Sequence, residues 1–384
     1  MSASRTRGRC RTSGAARRPL AAALLHGALF AAALLHGALR APAAHAAVDL
    51  DGEAIEIVDM HLHPGRFAQM SPGGKAFTVT ATPDFSRAYA PPVFARLLDP
   101  WAEHVGIQAQ AAAGGLDRVV LYAVYAQETT GYFTNEQLAA ILLDSRNTRD
   151  PQGRPWARGF ASIDFFDGWA NPGVADQRLA ALSSWFAKHR DVFVGVKLAH
   201  AHQAVTFDDP EYLAVYEVAA SHGVPVLLHT GFSPFPGSQT EPEYYDPQYL
   251  ETVVSNYDGT GTLPRLEFVL SHVGQGDARS VEHALALAEA HDNVYLEISA
   301  LNRPITRDAS GAPVTVTEPQ YPSVLTEIRA RGLVPRTLYG SDGPQFSGFT
   351  ATYAKLMIDG MKTAGYTPAE IRQVMSENFE LLFD

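Results

Sequence analysis

Residues 55–64 have the sequence IEIVDMHLHP, in which a short apolar run, Ile55–Met60, ends in a pair of histidines, His61 and His63. A run of this length and composition is typical of a buried β-strand. Side chains alternate along a strand with a period of two, so both imidazoles lie on one face. One metal ion could therefore bind both histidines.

Four more short runs end in a side chain that can bind a metal ion or a substrate. They are Val192–Val196 before Lys197, Val224–Leu228 before His229, Leu266–Ser271 before His272 and Arg336–Ser341 before Asp342. If each run is a buried parallel strand, all five polar groups emerge at the same edge of one sheet. A (β/α)₈ barrel builds its active site in this way, from the carboxyl ends of several strands.

Apolar runs alternate with amphipathic helical stretches from Ile55 to the end of the chain. The predicted strands are Ile55–Met60, Arg118–Val124, Arg158–Ile163, Val192–Leu198, Val224–Leu228, Leu266–Ser271, Val294–Ile298 and Thr337–Ser341. The predicted helices include Gln177–Lys188, Glu211–His222, Ala278–Ala290 and Val324–Arg331. Such alternation indicates parallel strands with crossover helices. We therefore predict an α/β fold, a single-domain (β/α)₈ TIM barrel.

Three long segments interrupt this alternation, namely Pro64–Pro100, Gly231–Pro247 and Asn302–Pro322. Each is rich in proline together with glycine, threonine or aromatic residues, and each follows a predicted strand end. Long loops in that position usually shape the substrate pocket. We therefore expect the C-terminal face of the barrel to carry long loops.

The first 46 residues differ from the rest of the chain, because they contain seven arginines and no acidic residue. An apolar stretch, Leu20–Leu39, is followed by the small-residue segment Ala41–Ala46. This order predicts a signal peptide over residues 1–46 and a barrel domain over residues 47–384. A retained membrane anchor is the alternative, and Arg17-Arg18 resembles a twin-arginine signal. We expect a secreted or periplasmic protein with no membrane span after cleavage.

The net charge of the chain limits the kinds of partner that it can bind. The 384 residues include 30 Lys and Arg and 41 Asp and Glu, a formal charge of −11. Without the seven arginines of the predicted leader, 23 basic residues face 41 acidic ones, and the charge becomes −18. So acidic a surface repels phosphate backbones, which argues against nucleic-acid binding. Cys10, the only cysteine, lies in the leader, so a Cys-based zinc site is not expected.

Five segments that carry the polar strand ends resemble the amidohydrolase superfamily, and most closely its amidohydrolase-related branch of metal-dependent TIM-barrel hydrolases and decarboxylases. They are Val58–Pro64, Gly195–Leu198, Val226–Gly231, Ser271–Gly274 and Gly340–Pro344. The resemblance extends from about Ile57 to Leu382, and Ser376–Leu382 is similar to the C-terminal helix of the family. Five motifs in this order are far more specific than a His-x-His pair alone.

The resemblance implies a divalent metal ion bound by four side chains, those of His61, His63, His229 and Asp342. It further implies that Asp342 handles the proton of the metal-bound water. His272, beside the metal, would polarise or protonate the substrate.

The resemblance also bears on the number of metal ions. Lys197 lies where binuclear members carry a carboxylated lysine that bridges two ions, so one or two ions are expected. Three imidazoles and one carboxylate suit Zn²⁺, with Mn²⁺, Fe²⁺ and Co²⁺ as alternatives. Such an ion lowers the pKa of bound water to about 7, so that hydroxide forms at neutral pH.

Other polar and aromatic residues are candidates for the substrate pocket. Arg303 could bind a substrate carboxylate through two hydrogen bonds, or be solvated as loop arginines usually are. His202, just past the fourth predicted strand, could line the pocket or be exposed. Phe232, in the second long loop, could form part of an apolar substrate wall or pack within its own loop. Glu297 lies inside an apolar run and needs a partner there. It either supports a metal-binding histidine from behind or faces a helix.

Three functions fit these features. The first is a secreted metal-dependent hydrolase that uses a metal-activated water on an amide, lactone or ester bond of a small molecule. The second is a metal-dependent, non-oxidative decarboxylase of an aromatic or unsaturated acid, for which Arg66, Arg303 and Lys197 are the candidate cations. The third is a non-catalytic exported metal- or solute-binding barrel, which has no need of a proton-handling Asp342. Relatives often form dimers, so a homodimer stays open.

Overall fold

The apolar run before the two histidines forms the first strand of an eight-stranded parallel sheet in the computed structural model of the chain. The structure describes residues 48–80, 92, 95–96, 99–308, 310–314, 318–343 and 349–383, so the predicted signal peptide lies outside the described residues. The strands in chain order are β1 (Val58–Leu62), β2 (Arg118–Tyr122), β3 (Ala157–Ala161), β4 (Phe193–Leu198), β5 (Val226–His229), β6 (Phe268–Ser271), β7 (Val294–Glu297) and β8 (Thr337–Leu338).

The sheet closes on itself. Each strand pairs in parallel with the next one along the chain. The segment after β8 then returns to β1, where Met60 N donates to Tyr339 O at 3.1 Å and His63 N donates to Gly343 O at 2.7 Å. An isolated parallel bridge joins Leu62 to Gly343. The predicted single-domain (β/α)₈ TIM barrel is confirmed.

Helices occupy the connections, as the alternating pattern predicts. They span Pro72–Thr80, His104–Gly114, Asn135–Leu142, Pro172–His189, His200–Gln203, Pro210–His222, Glu251–Asn256, Ala278–Ala290, Tyr321–Ala330, Phe349–Thr363, Pro368–Arg372 and Asn378–Phe383, with a π-helical turn at Gln373–Glu377. Local chemistry sets their ends: Asp209 accepts a hydrogen bond from Glu211 N at 2.9 Å at one start. Within the described ranges no helix is both long and apolar enough to cross a bilayer.

The first strand begins later than predicted, at Val58 rather than Ile55. Ile55 instead ends a short antiparallel pair, Val48–Leu50 with Glu53–Ile55. Between Asp59 and Leu62 the register of β1 against β2 shifts. Such a bulge re-aims side chains locally. The bulge explains why Met60 packs in the apolar cluster inside the barrel, whereas Leu62 packs in the cluster between the sheet and the helices.

The barrel interior below the strand ends is apolar. Each strand contributes one or two side chains, in β7 the partly buried Tyr295, and the last helix adds Phe379 and Phe383 to this cluster. The Phe379 and Phe383 rings stack with centroids 4.5 Å apart, and Phe383 lies 5.6 Å from the Phe160 ring. A larger apolar cluster fills the space between the sheet and the helices. The base of the barrel is thus a packed core, which leaves the carboxyl ends of the strands for chemistry.

Candidate metal centre

Three of the predicted metal ligands meet where β1 approaches the segment after β8. His61 Nε2 lies 3.0 Å from His63 Nε2. Asp342 Oδ1 lies 3.5 Å from His61 Nε2 and 3.4 Å from His63 Nε2. Ligand atoms at about 2.0–2.2 Å from a tetrahedral ion are about 3.3–3.6 Å apart. The three atoms therefore have close to the spacing that one divalent ion needs.

Asp342 reaches this position through an unusual backbone path. The ladder of β8 ends at Leu338, three residues before the predicted end of that strand. Beyond it, Ser341 N donates to Asp59 Oδ1 at 2.9 Å. Asp342 itself has a φ of 60°, in the left-handed region that non-glycine residues rarely adopt. Strain of this kind persists where the surrounding structure imposes it, commonly at functional sites.

His229, the fourth predicted ligand, ends β5 and is 7% exposed. Its ring centroid lies 4.9 Å from that of His272. It does not belong to either group of three or more ligand atoms that lie within 4.8 Å of one another in the described part of the chain. Its Nε2 is nevertheless buried and has no hydrogen-bond partner there. Because buried ring nitrogens are normally paired, this atom fits the role of a metal ligand.

Glu297 supports His61 from behind. The carboxylate, at the end of β7 and fully buried, accepts from His61 Nδ1 at 2.8 Å. This arrangement directs the other nitrogen, Nε2, toward His63 and Asp342. A carboxylate behind a metal-binding histidine is a frequent feature of metal sites, because it fixes the orientation of the ring. Of the two alternatives for Glu297, the structure therefore selects the one in which it supports a ligand.

The protonation states of the histidines suit metal binding. Burial lowers the pKa of His61 and of His229 well below the usual value. Burial also lowers the pKa of His272 and of His202 to about 3. All four imidazoles are therefore neutral at pH 7, which is the form that binds metal ions.

Asp342 is ionised at the same pH. Burial acts to raise its pKa, but the hydrogen bond from His63 and the electrostatic interactions with His272, Arg303 and His61 hold the pKa well below its usual value. Arg303 Nη2 lies 3.1 Å from Asp342 Oδ2. One carboxylate oxygen thus faces the two histidines while the other is held by the guanidinium.

Lys197, the candidate bridging ligand, lies under the cluster of histidines. Its ammonium donates to Ser271 Oγ at 3.3 Å and lies 5.4 Å from the centre of the Tyr122 ring. Burial lowers its pKa to about 8. The side chain is 2% exposed, so it does not face solvent.

The predicted pocket residues lie at the mouth of the barrel. His202 is 8% exposed, and its ring lies 5.0 Å from that of His229, so it lines the site. Its Nδ1 contacts Thr129 Oγ1 at 2.9 Å. Phe232 lies beneath the guanidinium of Arg307, 4.3 Å from it. Arg303, expected to bind a substrate carboxylate or be solvated, is instead paired with Asp342.

Two residues of the centre were not singled out from the sequence. Tyr122, at the end of β2, lies with its ring 4.6 Å from that of His61 and donates its hydroxyl proton to Met60 O. Ser299, two residues after β7, contacts both His61 and His272. Tyr122 lies inside a predicted strand. Ser299 follows a predicted strand, and no pattern in the surrounding sequence marks it as a residue of the site.

Comparison with known proteins also indicates a metal-dependent enzyme. A family model described as amidohydrolase matches residues 58–384. The chain belongs to this family and is a metal-dependent enzyme. None of the curated proteins matches the chain in sequence.

Solved structures share the fold at low sequence identity. A probable 2-pyrone-4,6-dicarboxylic acid hydrolase from Acinetobacter baumannii is 14% identical, with a TM-score of 0.51, over 86% of this chain and 99% of that one. A 2,6-dihydroxybenzoate decarboxylase from Rhizobium is 13% identical, with a TM-score of 0.52, over 86% and 98%. A 5-carboxyvanillate decarboxylase from Sphingomonas paucimobilis is 14% identical, with a TM-score of 0.50, over 86% and 99%. At such identities the likeness defines the fold and leaves the substrate open.

Proposed function

We propose that this enzyme is a hydrolase that uses a metal-activated water on an amide, lactone or ester bond of a small molecule. The observation that carries the proposal is the triangle of His61 Nε2, His63 Nε2 and Asp342 Oδ1, with sides of 3.0, 3.4 and 3.5 Å. The buried, unpaired Nε2 of His229 supplies a fourth ligand of the expected type.

The surrounding residues divide the proton handling among them. When bound, a divalent ion supplies Lewis acidity and a water acidic enough to lose its proton near pH 7. Asp342 is ionised and can accept that proton as a general base. His272 is neutral and buried beside His61, with ring centroids 5.0 Å apart. It can take up a proton and then pass it to the leaving group.

Arg303 contributes orientation to this scheme. Its hydrogen bond to Asp342 Oδ2 leaves Oδ1 directed at the two histidines. A held carboxylate needs less reorganisation in the transition state than a free one.

The pairing of the three candidate cations within the protein supports hydrolysis over decarboxylation. A decarboxylase would need a positive group for the substrate acid, and the sequence offers Arg66, Arg303 and Lys197. Arg66 forms an exposed ion pair with Glu103. Arg303 is paired with Asp342, and Lys197 is buried with a hydrogen bond to Ser271. Each candidate is engaged by a group of the protein itself.

We further propose that the site takes one ion, and that this ion is zinc. The second group of candidate ligands, His61, His272 and Glu297, is already joined by hydrogen bonds through Ser299. Lys197 contacts Ser271 and Tyr122, which suits a residue that supports the site better than a bridge between two ions. Three imidazoles and one carboxylate are a common zinc set.

Export is proposed on the sequence of the first 46 residues, with their arginine-rich start and apolar middle. The mass of the protein recovered from the exported fraction tests this directly. A chain that begins at Ala47 is expected, and a chain that keeps its first residues in that fraction would point to the retained anchor.

Turnover in ¹⁸O-labelled water tests the reaction. A panel of lactones, esters, amides and aromatic acids is incubated with the zinc-loaded enzyme, and the masses of the products are measured by mass spectrometry. One ¹⁸O atom in the product acid is expected. Release of CO₂ with no label in the organic product would instead support a decarboxylase. Membership of an enzyme family leaves little support for the non-catalytic barrel.

A further inference from the structure

Three consecutive residues after β6 have backbone angles in the left-handed region. His272, Val273 and Gly274 have φ values of 68°, 48° and 70°. Glycine adopts such angles at little cost, but they are rare for other residues and most strained for a β-branched one such as Val273. The segment is also buried, with His272 3% exposed and Val273 without exposed surface. The turn that carries His272 is therefore held in place by its surroundings.

The hydroxyl of Thr230, the first residue after β5, bonds to both ends of this turn. Thr230 Oγ1 donates to Ser271 O at 2.7 Å and accepts from Gly274 N at 3.0 Å. The directions of these two bonds are fixed, because a carbonyl oxygen only accepts and a backbone N–H only donates. Thr230 has no exposed surface, so water does not compete for its hydroxyl. One side chain thus satisfies backbone groups on both sides of His272 and Val273.

The backbone of the neighbouring residues shows how closely the two strand ends pack. Phe232 N donates to Gln275 O at 2.8 Å, and Gln275 N donates to His272 O at 3.0 Å. A Cβ atom on Gly231 would lie 2.2 Å from Gln275 O, so only glycine fits at this position. The chain just after β5 is therefore fixed against the turn, which gives the Thr230 hydroxyl a rigid base from which to hold it.

The histidines at the two strand ends differ in how they are held. His229 is the last residue of β5, where it pairs with Ser271 in the parallel ladder. β6 ends at Ser271, so His272 lies outside that ladder. The His272 ring lies 4.9 Å from that of His229, and its Nδ1 lies 2.7 Å from Ser299 Oγ. Loss of the Thr230 bonds should therefore displace His272 and leave His229 in place.

We propose that Thr230 is a positioning residue, whose hydroxyl holds the left-handed turn after β6 and thereby places His272 beside the metal centre. The proposal rests on the hydrolase function, in which His272 transfers a proton to the leaving group. It gives two neighbouring residues separate tasks. His229 binds the ion, whereas Thr230 sets the position of the histidine that transfers the proton.

Crystal structures of two matched variants test the proposal. Thr230→Val keeps the size of the side chain but removes the hydroxyl, whereas Thr230→Ser keeps the hydroxyl. In Thr230→Val, we expect His272 and Val273 to leave the left-handed region. The His272 ring should then move away from Ser299. In Thr230→Ser, the turn should stay as in the wild type. A Thr230→Val structure with an unchanged turn would overturn the proposal.

Kinetics of the zinc-loaded variants provide a second readout. A displacement of about 1 Å in a reacting group can cost about 100-fold in rate, so kcat of Thr230→Val should fall by about 10–100-fold. Zinc affinity should change much less, because His229 stays in its ladder. Thr230→Ser should keep both values near those of the wild type. A loss of zinc affinity as large as the loss of kcat would overturn the proposal, since Thr230 would then act on His229.

A matched control separates this role from the loss of any buried hydroxyl. Thr337, at the start of β8, also has no exposed surface, and its Oγ1 donates to Leu333 O at 2.9 Å. Thr337→Val should leave both the turn at His272 and kcat unchanged. Equal losses of kcat in Thr337→Val and Thr230→Val would count against a specific role of Thr230.

Thr230→Ser keeps the proposal testable if Thr230→Val does not fold. A displaced His272 in folded Thr230→Ser would show that packing of the methyl group, rather than the hydroxyl, holds the turn. The crystal structures need no substrate, so failure of this proposal can be told apart from failure of the hydrolase function. An unchanged turn in Thr230→Val refutes only the role of Thr230, whereas a wild-type enzyme that hydrolyses nothing refutes the hydrolase function.

Discussion

The lower half of the barrel interior, at its base, and the upper half, at the carboxyl ends of the strands, are built by the same strands but bury side chains of opposite polarity. The lower half is filled by apolar side chains such as Val58, Met60 and Phe160, and the last helix closes it with Phe379 and Phe383. The upper half buries imidazoles, carboxylates and an ammonium within a few residues of the same strands. Apolar burial stabilises the fold, whereas buried polar groups cost free energy unless paired. Stability and chemistry are therefore separated along the barrel axis.

The largest effect is expected from a change in the upper half that removes the base. Asp342→Asn should lower kcat by about 10²–10⁴-fold, the usual contribution of a general base. Zinc should still bind through the histidines, and the free energy of unfolding should change little. Steady-state kinetics beside metal analysis measure both. A variant that keeps wild-type kcat would remove Asp342 from the mechanism.

A change in the lower half should do the reverse. Phe379→Ala removes a ring that is 3% exposed and stacked on Phe383. The free energy of unfolding should fall by about 3–5 kcal/mol, while kcat per folded molecule stays the same. Urea denaturation followed by circular dichroism gives the first value. Loss of activity in the fully folded variant would show that the two halves are coupled.

Removal of the metal ion should act on the upper half alone. Chelation should lower the free energy of unfolding by about 2.7 kcal/mol relative to protein at a free zinc concentration of 100 times Kd. Phe379→Ala should show the same difference, because its site is remote from the ion. His63→Ala should show a much smaller one. An equal response to chelation in His63→Ala would place the bound ion elsewhere.

The smallest of these effects is a pH dependence of stability in the chelated protein. Burial lowers the pKa of His202 to about 3 in the folded state, against about 6.5 when unfolded. Between these values the unfolded chain binds a proton that the native protein does not, so stability falls as the pH decreases. From pH 6.5 to 5.0 this amounts to about 1.5 kcal/mol for one histidine.

His202→Gln removes that contribution, so its urea midpoint should vary less with pH than that of the wild type. Phe379→Ala serves as the control and should keep the wild-type pH dependence. If His202→Gln and the wild type lose stability equally on acidification, His202 is not buried in its neutral form.

The sequence predicts the parallel barrel and the strand ends that carry the polar groups, because both depend on local patterns. A buried parallel strand has a continuous apolar run, and His61, His63, His229, His272 and Asp342 each follow such a run. The exact ends of the strands are harder to predict from local patterns. The bulge in β1 and the early end of β8 depend on contacts with distant segments, as in the bond from Ser341 N to Asp59.

The pairings within the site also lie beyond local patterns. Glu297 meets His61 across 236 positions of sequence, and Ser299 meets it across 238. Arg303 was recognised as a candidate for an anion, but its actual partner is Asp342. Closure of the barrel brings these residues together, so only the three-dimensional fold identifies the partners.

The most direct test of the metal centre is elemental analysis of the purified protein beside a His61→Ala/His63→Ala double variant. About one equivalent of zinc is expected in the wild type, and its loss is expected in the double variant with the barrel still folded. A wild-type protein that takes up no divalent ion, or a double variant that binds it equally well, would contradict a metal site at the junction of β1 and β8.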